Sequence, residues 1–206
     1  MTKGIDVSKW QGRIDWPKVE KLTDIEFAIL KAGGSDNGFY IDPYFEDNYR
    51  GAKSVGIGVG AYYFVGPKCQ SAADGEADAK RFLNIIAGKK FEYPVCLDFE
   101  APPAWSKTGN TDAAIAFCKK MELHGYYVSI YASDISGFAD RLDLARLAAY
   151  DKWVACYGRK PTNVQIYGMW QYSSTGKVAG INGNVDMDEA YYDFPDIMKS
   201  HHLNGY

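Results

Sequence analysis

Asp98 and Glu100 close the run Tyr93-Pro94-Val95-Cys96-Leu97-Asp98-Phe99-Glu100, an apolar stretch that ends on two carboxylates one residue apart. Residues 95–97 read as a buried strand, on which successive side chains point to opposite faces, so the two acids share a face. At the rise of a strand their Cα atoms lie roughly 6–7 Å apart, near enough for one charge to raise the pKa of the other. A proton donor beside an anion is the chemistry such a pair can do. The same triplet also occurs at solvated strand ends, so other groups must join it.

Two further acids stand in strand-like settings, Asp6 in Gly4-Ile5-Asp6-Val7-Ser8 and Asp186 in Val185-Asp186-Met187-Asp188. Between them the chain alternates strand-like and helix-like stretches. The strand-like runs are 4–8, 27–30, 57–64, 93–100, 127–131, 153–157, 164–166 with 169–172, and 185–188. Helices are marked by their ends. Trp16-Pro17 opens one that ends near Leu22, and Asp42 caps a second with Pro43 at its first position and Gly56 after it. Ser71-x-x-Asp74 starts a third, and Asn110 or Thr111 caps a fourth that Gly125 closes. Two short helical pieces fall between 135 and 149. Pro102-Pro103 makes residues 101–105 a loop over a strand end, which leaves Trp105 available to a ligand. Gly33-Gly34 lacks the spacing of a phosphate-binding loop and reads as a plain strand-to-helix connection.

Alternation of this kind specifies a parallel sheet, and about eight strands close it into an α/β barrel of the TIM type, its later helices shortened. The expected organisation is one catalytic domain over 1–206, with the last few residues resembling the start of a linker. In such a barrel the functional groups sit at the carboxyl ends of the strands, and the first and last strands are neighbours. Asp6, Asp98, Glu100 and Asp186 then meet at one mouth, with Lys31, Tyr62, Tyr131 and Trp170 around them.

Composition excludes several other classes. A net charge of −3 spread along 206 residues offers no footprint for nucleic acid. No segment approaches the length of a membrane-spanning apolar helix, and the N-terminus has no apolar signal region. Cys69, Cys96, Cys118 and Cys156 show neither C-x-x-C nor metal-ligand spacing and read as small buried hydrophobes without disulfides. Asn182-x-Asn184-x-Asp186-x-Asp188 resembles a calcium loop, but Met187 stands where glycine is required and no glutamate closes it, so no metal or other cofactor is expected. His124, His201 and His202 fall outside the proposed site, which disfavours a His-activated Ser or Cys nucleophile. Tyr and Trp, at 16 and 5, exceed what a core asks for and suit stacking on sugars. Convergent carboxylates with aromatic walls point to cleavage of a glycosidic bond, with Glu100 as the acid and Asp98 as the stabilising anion.

The chain resembles glycoside hydrolase family 25 along almost its whole length. The resemblance is carried by Gly4-Ile5-Asp6-Val7-Ser8-Lys9-Trp10-Gln11-Gly12, Asp42-Pro43-Tyr44-Phe45, Gly60-Ala61-Tyr62-Tyr63-Phe64, Leu97-Asp98-Phe99-Glu100, Trp153-x-Ala155-x-Tyr157, Trp170-Gln171-Tyr172-Ser173 and Val185-Asp186-Met187-Asp188. It implies a flattened, irregular α/β barrel and an N-acetylmuramidase that cuts peptidoglycan between N-acetylmuramic acid and N-acetylglucosamine. It implies Glu100 as acid, Asp98 as its strand partner, and Asp6 and Asp186 as further active-site acids. Lys31, Tyr62, Tyr131 and Trp170 match groove positions, and Phe64, Trp105 and Gln171 complete the expected substrate-binding set. There are two departures. Tyr63 stands where histidine is usual, with an effect expected on packing, and Gly33-Gly34 replaces a common Thr-Glu.

The resemblance favours attack by the substrate's own N-acetyl group, oriented by Asp98, over direct activation of water. Other readings are a chitinase-like endo-N-acetylglucosaminidase on the same barrel and a non-catalytic glycan-binding barrel. The expected partner is the peptidoglycan glycan strand, met by a monomer at the bacterial wall. The enzyme would arrive there as a phage-type endolysin released by a holin-type protein, or by secretion if a signal has been removed.

Overall fold

Strand parity sorts the apolar residues into two cores. Phe27, Ile29, Tyr62, Cys96, Tyr131, Trp153 and Met169 belong to a buried inner cluster, while Ile5, Val7, Ala28, Leu30, Ala61, Tyr63 and Leu97 belong to a larger outer one. Residues that alternate along one strand thus fill the inside of a barrel and the layer beneath its helices. The computed structural model describes all residues, 1–206. Its strands are β1 Thr2–Val7, β2 Phe27–Gly34, β3 Tyr40–Ile41, β4 Gly58–Phe64, β5 Val95–Asp98, β6 Val128–Ser133, β7 Asp151–Ala155, β8 Met169–Gly176 and β9 Val185–Ala190. All but β3 close a barrel in the order β1-β2-β4-β5-β6-β7-β8-β9, and β9 returns to β1.

Every pairing from β1 round to β8 is parallel, whereas β9 is antiparallel to both its neighbours. The purely parallel sheet expected from sequence is therefore mixed. The connection over 177–184 is shorter than the dozen or so residues a parallel crossover needs, so the chain turns back as a hairpin. Gly180 and Gly183, at φ of 96° and 87°, supply the left-handed backbone of that turn. Asp186 consequently enters the mouth from the amino end of its strand.

The helices are α1 Trp16–Leu22, α2 Phe45–Ser54, α3 Ala72–Ile86, α4 Lys107–Glu122 and α5 Phe194–Ser200. Ser71 caps α3 as expected, its Oγ accepting the Asp74 N–H. Two starts differ from the sequence reading. Asp42 accepts the N–H of Tyr44 at 2.9 Å and of Lys9 at 3.0 Å, which fixes a turn ahead of α2 and ties it to the segment after β1. Asn110 and Thr111 lie inside α4, a turn past its start. Asn110 Nδ2 donates to the carbonyls of Pro103 and Arg141, and the Thr111 hydroxyl donates to the Lys107 carbonyl. A fifth helix had no counterpart in the sequence reading, although Asp193-Phe194-Pro195 repeats the Asp15-Trp16-Pro17 grammar that opens α1.

After β6 the helical layer thins to a π-helical turn, Asp134–Ala139. The buried Asp134 carboxylate accepts the N–H groups of Thr162, Asn163 and Val164 at 3.1, 2.9 and 3.2 Å. Residues 164–166, which read as strand-like, are therefore a loop, because a carboxylate has taken N–H groups a ladder would use. The last residues, expected to begin a linker, fold against the barrel floor. Asn204 is fully buried, donates from Nδ2 to the Tyr93 carbonyl and accepts the Tyr127 N–H. The four cysteines are buried and unpaired. No helix is long and apolar enough to cross a membrane.

Candidate active site

The mouth is built from strand ends. Asp98 is the last residue of β5, register partner of Phe64 on one side and Tyr131 on the other. Phe99 continues the alternation by burying its ring in the outer core, which returns Glu100 to the mouth, where it is exposed. Asp6 of β1 is the register partner of Asp186 of β9. The sequence-expected acids are thus brought together, with Asp98 and Asp6 buried, Asp186 half-buried and Glu100 facing solvent.

Their electrostatics follow from that depth. Burial pushes the Asp98 carboxyl well above the usual carboxylate range, and the neighbouring Glu100 charge adds to it while Lys31 opposes it. Glu100 is also raised by burial among its neighbours and by Asp186, and lowered by Lys31. Burial thus raises both carboxyls, and Lys31 opposes the rise in each. Asp98 Oδ1 is buried and has no hydrogen-bond donor.

Asp6 sits in a second network. Its Oδ2 accepts Gln171 Nε2 at 2.6 Å, and Gln171 Oε1 in turn accepts the hydroxyls of Tyr131 at 2.9 Å and Tyr157 at 2.7 Å. Burial, then Asp188 and Asp186, push the Asp6 carboxyl well up. Asp188, with no exposed surface, accepts Trp153 Nε1–H at 2.8 Å. Burial raises it to about 8. Two buried carboxyls placed so oppose each other's ionisation. Asp188 and Trp153 were not among the expected site residues. The parity argument that paired Asp98 with Glu100 applies equally to Asp186 and Asp188, so the signal for Asp188 was present.

Lys31 lies in β2 beside Tyr62, with its ammonium 4.5 Å from the Phe64 ring centroid and 5.7 Å from those of Tyr62 and Tyr40. Tyr62 meets Trp153 edge-on at 6.2 Å. Tyr62, Phe64, Tyr131 and Gln171 thus surround the acids. Trp105 stands on the 3-10 turn Ala104–Ser106 after β5, 82% exposed. Trp170 neighbours Gln171 on β8, so their side chains take opposite faces of the strand. Trp170 Nε1 donates to the Cys156 carbonyl, and Lys160 covers its ring at 4.1 Å.

Residues 5–181 match the sequence profile of Glycosyl hydrolases family 25. The chain belongs to glycoside hydrolase family 25. This family 25 enzyme is similar to the Escherichia coli protein YegX, at 31% identity over 198 residues covering 90% of this chain and 68% of that protein. It is similar to lysozyme M1 of Streptomyces globisporus, at 30% identity over 204 residues covering 91% of this chain and 67% of M1. Among solved structures it superposes on the CTP1L endolysin with a TM-score of 0.83 and 29% identity, over 97% of this chain and 70% of that one.

The two departures of this family 25 chain have physical accounts. Tyr63 is fully buried against Phe82 and Phe117, and its hydroxyl donates to Asp78. A Cβ on Gly33 would lie 2.3 Å from the Tyr40 carbonyl oxygen, and one on Gly34 would lie 2.6 Å from that of Phe64. The glycines admit β3 against β2, which brings Tyr40 over Lys31.

Proposed function

We propose that this family 25 glycoside hydrolase is a 1,4-β-N-acetylmuramidase, cleaving peptidoglycan between N-acetylmuramic acid and N-acetylglucosamine. The observation that carries the reading is the convergence of Asp6, Asp98, Glu100 and Asp186 from β1, β5 and β9 on one mouth walled by Tyr62, Phe64 and Tyr131. Similarity to lysozymes and endolysins supports it.

Glu100 protonates the leaving glycosidic oxygen as the bond to C1 breaks. The substrate's acetamido oxygen bonds to C1, and its N–H donates to the Asp98 carboxylate. A donor there favours the carboxylate form of Asp98. Asp186 and the Asp6–Asp188 pair supply negative potential to the cationic centre that develops at C1. Water then attacks C1, gives its proton to Glu100 and regenerates the acetamido group, with retention of configuration. Lys31 limits how far the acids' pKa values rise.

The enzyme acts on the wall as a monomer with glycan strands as its partner. Mass spectrometry of digested peptidoglycan tests this: new reducing ends on muramic acid are expected. New ends on glucosamine would replace the muramidase reading with that of an endo-N-acetylglucosaminidase.

A further inference from the structure

Tyr157 stands two residues past the end of β7, half-exposed, with its hydroxyl on the Gln171 amide. Its backbone is fixed from both sides. The Cys156 N–H donates to the Gln171 carbonyl at 3.1 Å, and the Cys156 carbonyl accepts Trp170 Nε1–H at 2.9 Å. Gly158, at φ of 74°, then turns the chain, and the Asp134 carboxylate holds the Arg159 guanidinium and the N–H groups of Thr162, Asn163 and Val164.

Gln171, 2% exposed, joins two kinds of partner. Its Oε1 accepts the hydroxyls of Tyr131 at 2.9 Å and Tyr157 at 2.7 Å, and its Nε2 donates to Asp6 Oδ2 at 2.6 Å. An ionised carboxyl only accepts, so the amide nitrogen must face Asp6 and the amide oxygen must face the hydroxyls. The reversed amide would need a protonated Asp6 as donor and would take the acceptor away from both tyrosines. Each hydroxyl on Oε1 therefore favours the arrangement in which Asp6 is an anion, and by polarising the amide it strengthens the N–H that Asp6 accepts.

The surroundings of Asp6 work the other way. Asp186 and Asp188 face it from β9 and Asp98 from β5, and with burial they raise its carboxyl. Tyr62 of β4, Cys96 of β5 and Tyr131 of β6 are near it and keep their protons. The cation of β2, Lys31, lies against the Phe64 ring and acts on Asp98 and Glu100. Gln171 is the group that opposes the rise in Asp6. Tyr157 is itself pushed up to about 12 by burial and by Asp186, Asp6 and Glu100, so its hydroxyl keeps the proton it donates.

We infer that Tyr157 is a positioning residue for Asp6, acting through Gln171 to hold that carboxyl in its ionised form. The inference rests on the role given to Asp6 in the muramidase reading, a negative charge beside the cationic centre that develops during cleavage. Gln171, its amide oxygen and nitrogen both bonded within the protein, serves the acid rather than the sugar.

The test is the pH profile of kcat/KM on purified walls. Tyr157→Phe keeps the ring and removes the donor. Losing donors raises the pKa of Asp6, so activity should fail at a higher pH on acidification. The acid limb is expected to move up by about half a pH unit in Tyr157→Phe and by about one unit in Gln171→Met, the scales of a weakened and of a lost hydrogen bond. The double variant should move no further than Gln171→Met, because Tyr157 acts through the amide. The alkaline limb, where Glu100 loses its proton, should stay in place in all three. A loss of packing alone lowers the rate at every pH and moves neither limb. An unmoved acid limb in Tyr157→Phe, whatever its rate, overturns the inference, as do shifts that add in the double variant, and both results leave the muramidase reading in place. If Gln171→Met does not fold, Tyr157→Phe, at a half-exposed ring, decides alone. Wild-type enzyme that frees no muramic acid reducing ends from walls removes the reading, and the inference with it.

Discussion

Asp188 shows how a single buried side chain sets the acid balance of the mouth. Its ordinary pKa is 3.8, and in the fold it is raised to about 8 by burial beside Asp6. Between those values the folded state binds a proton that the unfolded chain has lost. The stabilisation is thus complete below about pH 4 and disappears as pH rises toward about 8. Asp188→Asn keeps an acceptor for Trp153 and offers Asp6 a permanent N–H. Its melting temperature should exceed wild type by about 2–4 °C at pH 8, the effect of about 1 kcal/mol in a chain of this size, and match it at pH 4. An equal shift at both pH values would show that Asp188 is ionised in the fold. Glu100→Gln removes the proton donor alone. Lysis of purified walls should fall roughly 10²–10⁴-fold with an unchanged circular dichroism spectrum, and retained lysis would remove Glu100 as the acid.

At the scale of elements, the outer layer depends on close approach where the helices are longest. α3 and α4 meet at Gly75, where a Cβ would lie 2.0 Å from the Ala113 carbonyl oxygen. Gly75→Ala must separate the two helices. It should cost about 1–3 kcal/mol, read as a lower denaturant midpoint, and leave lysis per folded molecule unchanged because the contact lies outside the barrel. An unchanged midpoint would mean that the pair slides freely. Helix starts were legible where a side chain caps its own helix, as Ser71 does. They were misplaced where the same residue types serve tertiary contacts, as with Asp42 on Lys9 and Asn110 on Pro103 and Arg141. Local sequence cannot distinguish a cap from a long-range donor.

On the scale of the whole molecule, the barrel has a working mouth and a sealed floor. Asn204 closes the floor by bonding the Tyr93 carbonyl and the Tyr127 N–H, just ahead of β5 and β6. Asn204→Ala leaves both groups buried without partners, at about 1–3 kcal/mol each. A urea midpoint lowered accordingly, with kcat retained on walls, is the expected result. Loss of kcat in the folded variant would show that floor and mouth are coupled.

The sequence by itself determined the alternation that makes a barrel, the shared face of Asp98 and Glu100, and the motifs that identify the family. Each of these is a matter of neighbours along the chain, so period and spacing suffice to read it. Only the tertiary structure decided that Asp186 arrives on a reversed strand, that the Trp170 ring nitrogen bonds the Cys156 carbonyl, and that Asp188 is buried against Trp153. These depend on depth and on partners far apart in the chain, and burial, which dominates the pKa of every acid in the mouth, is a property of the assembled fold.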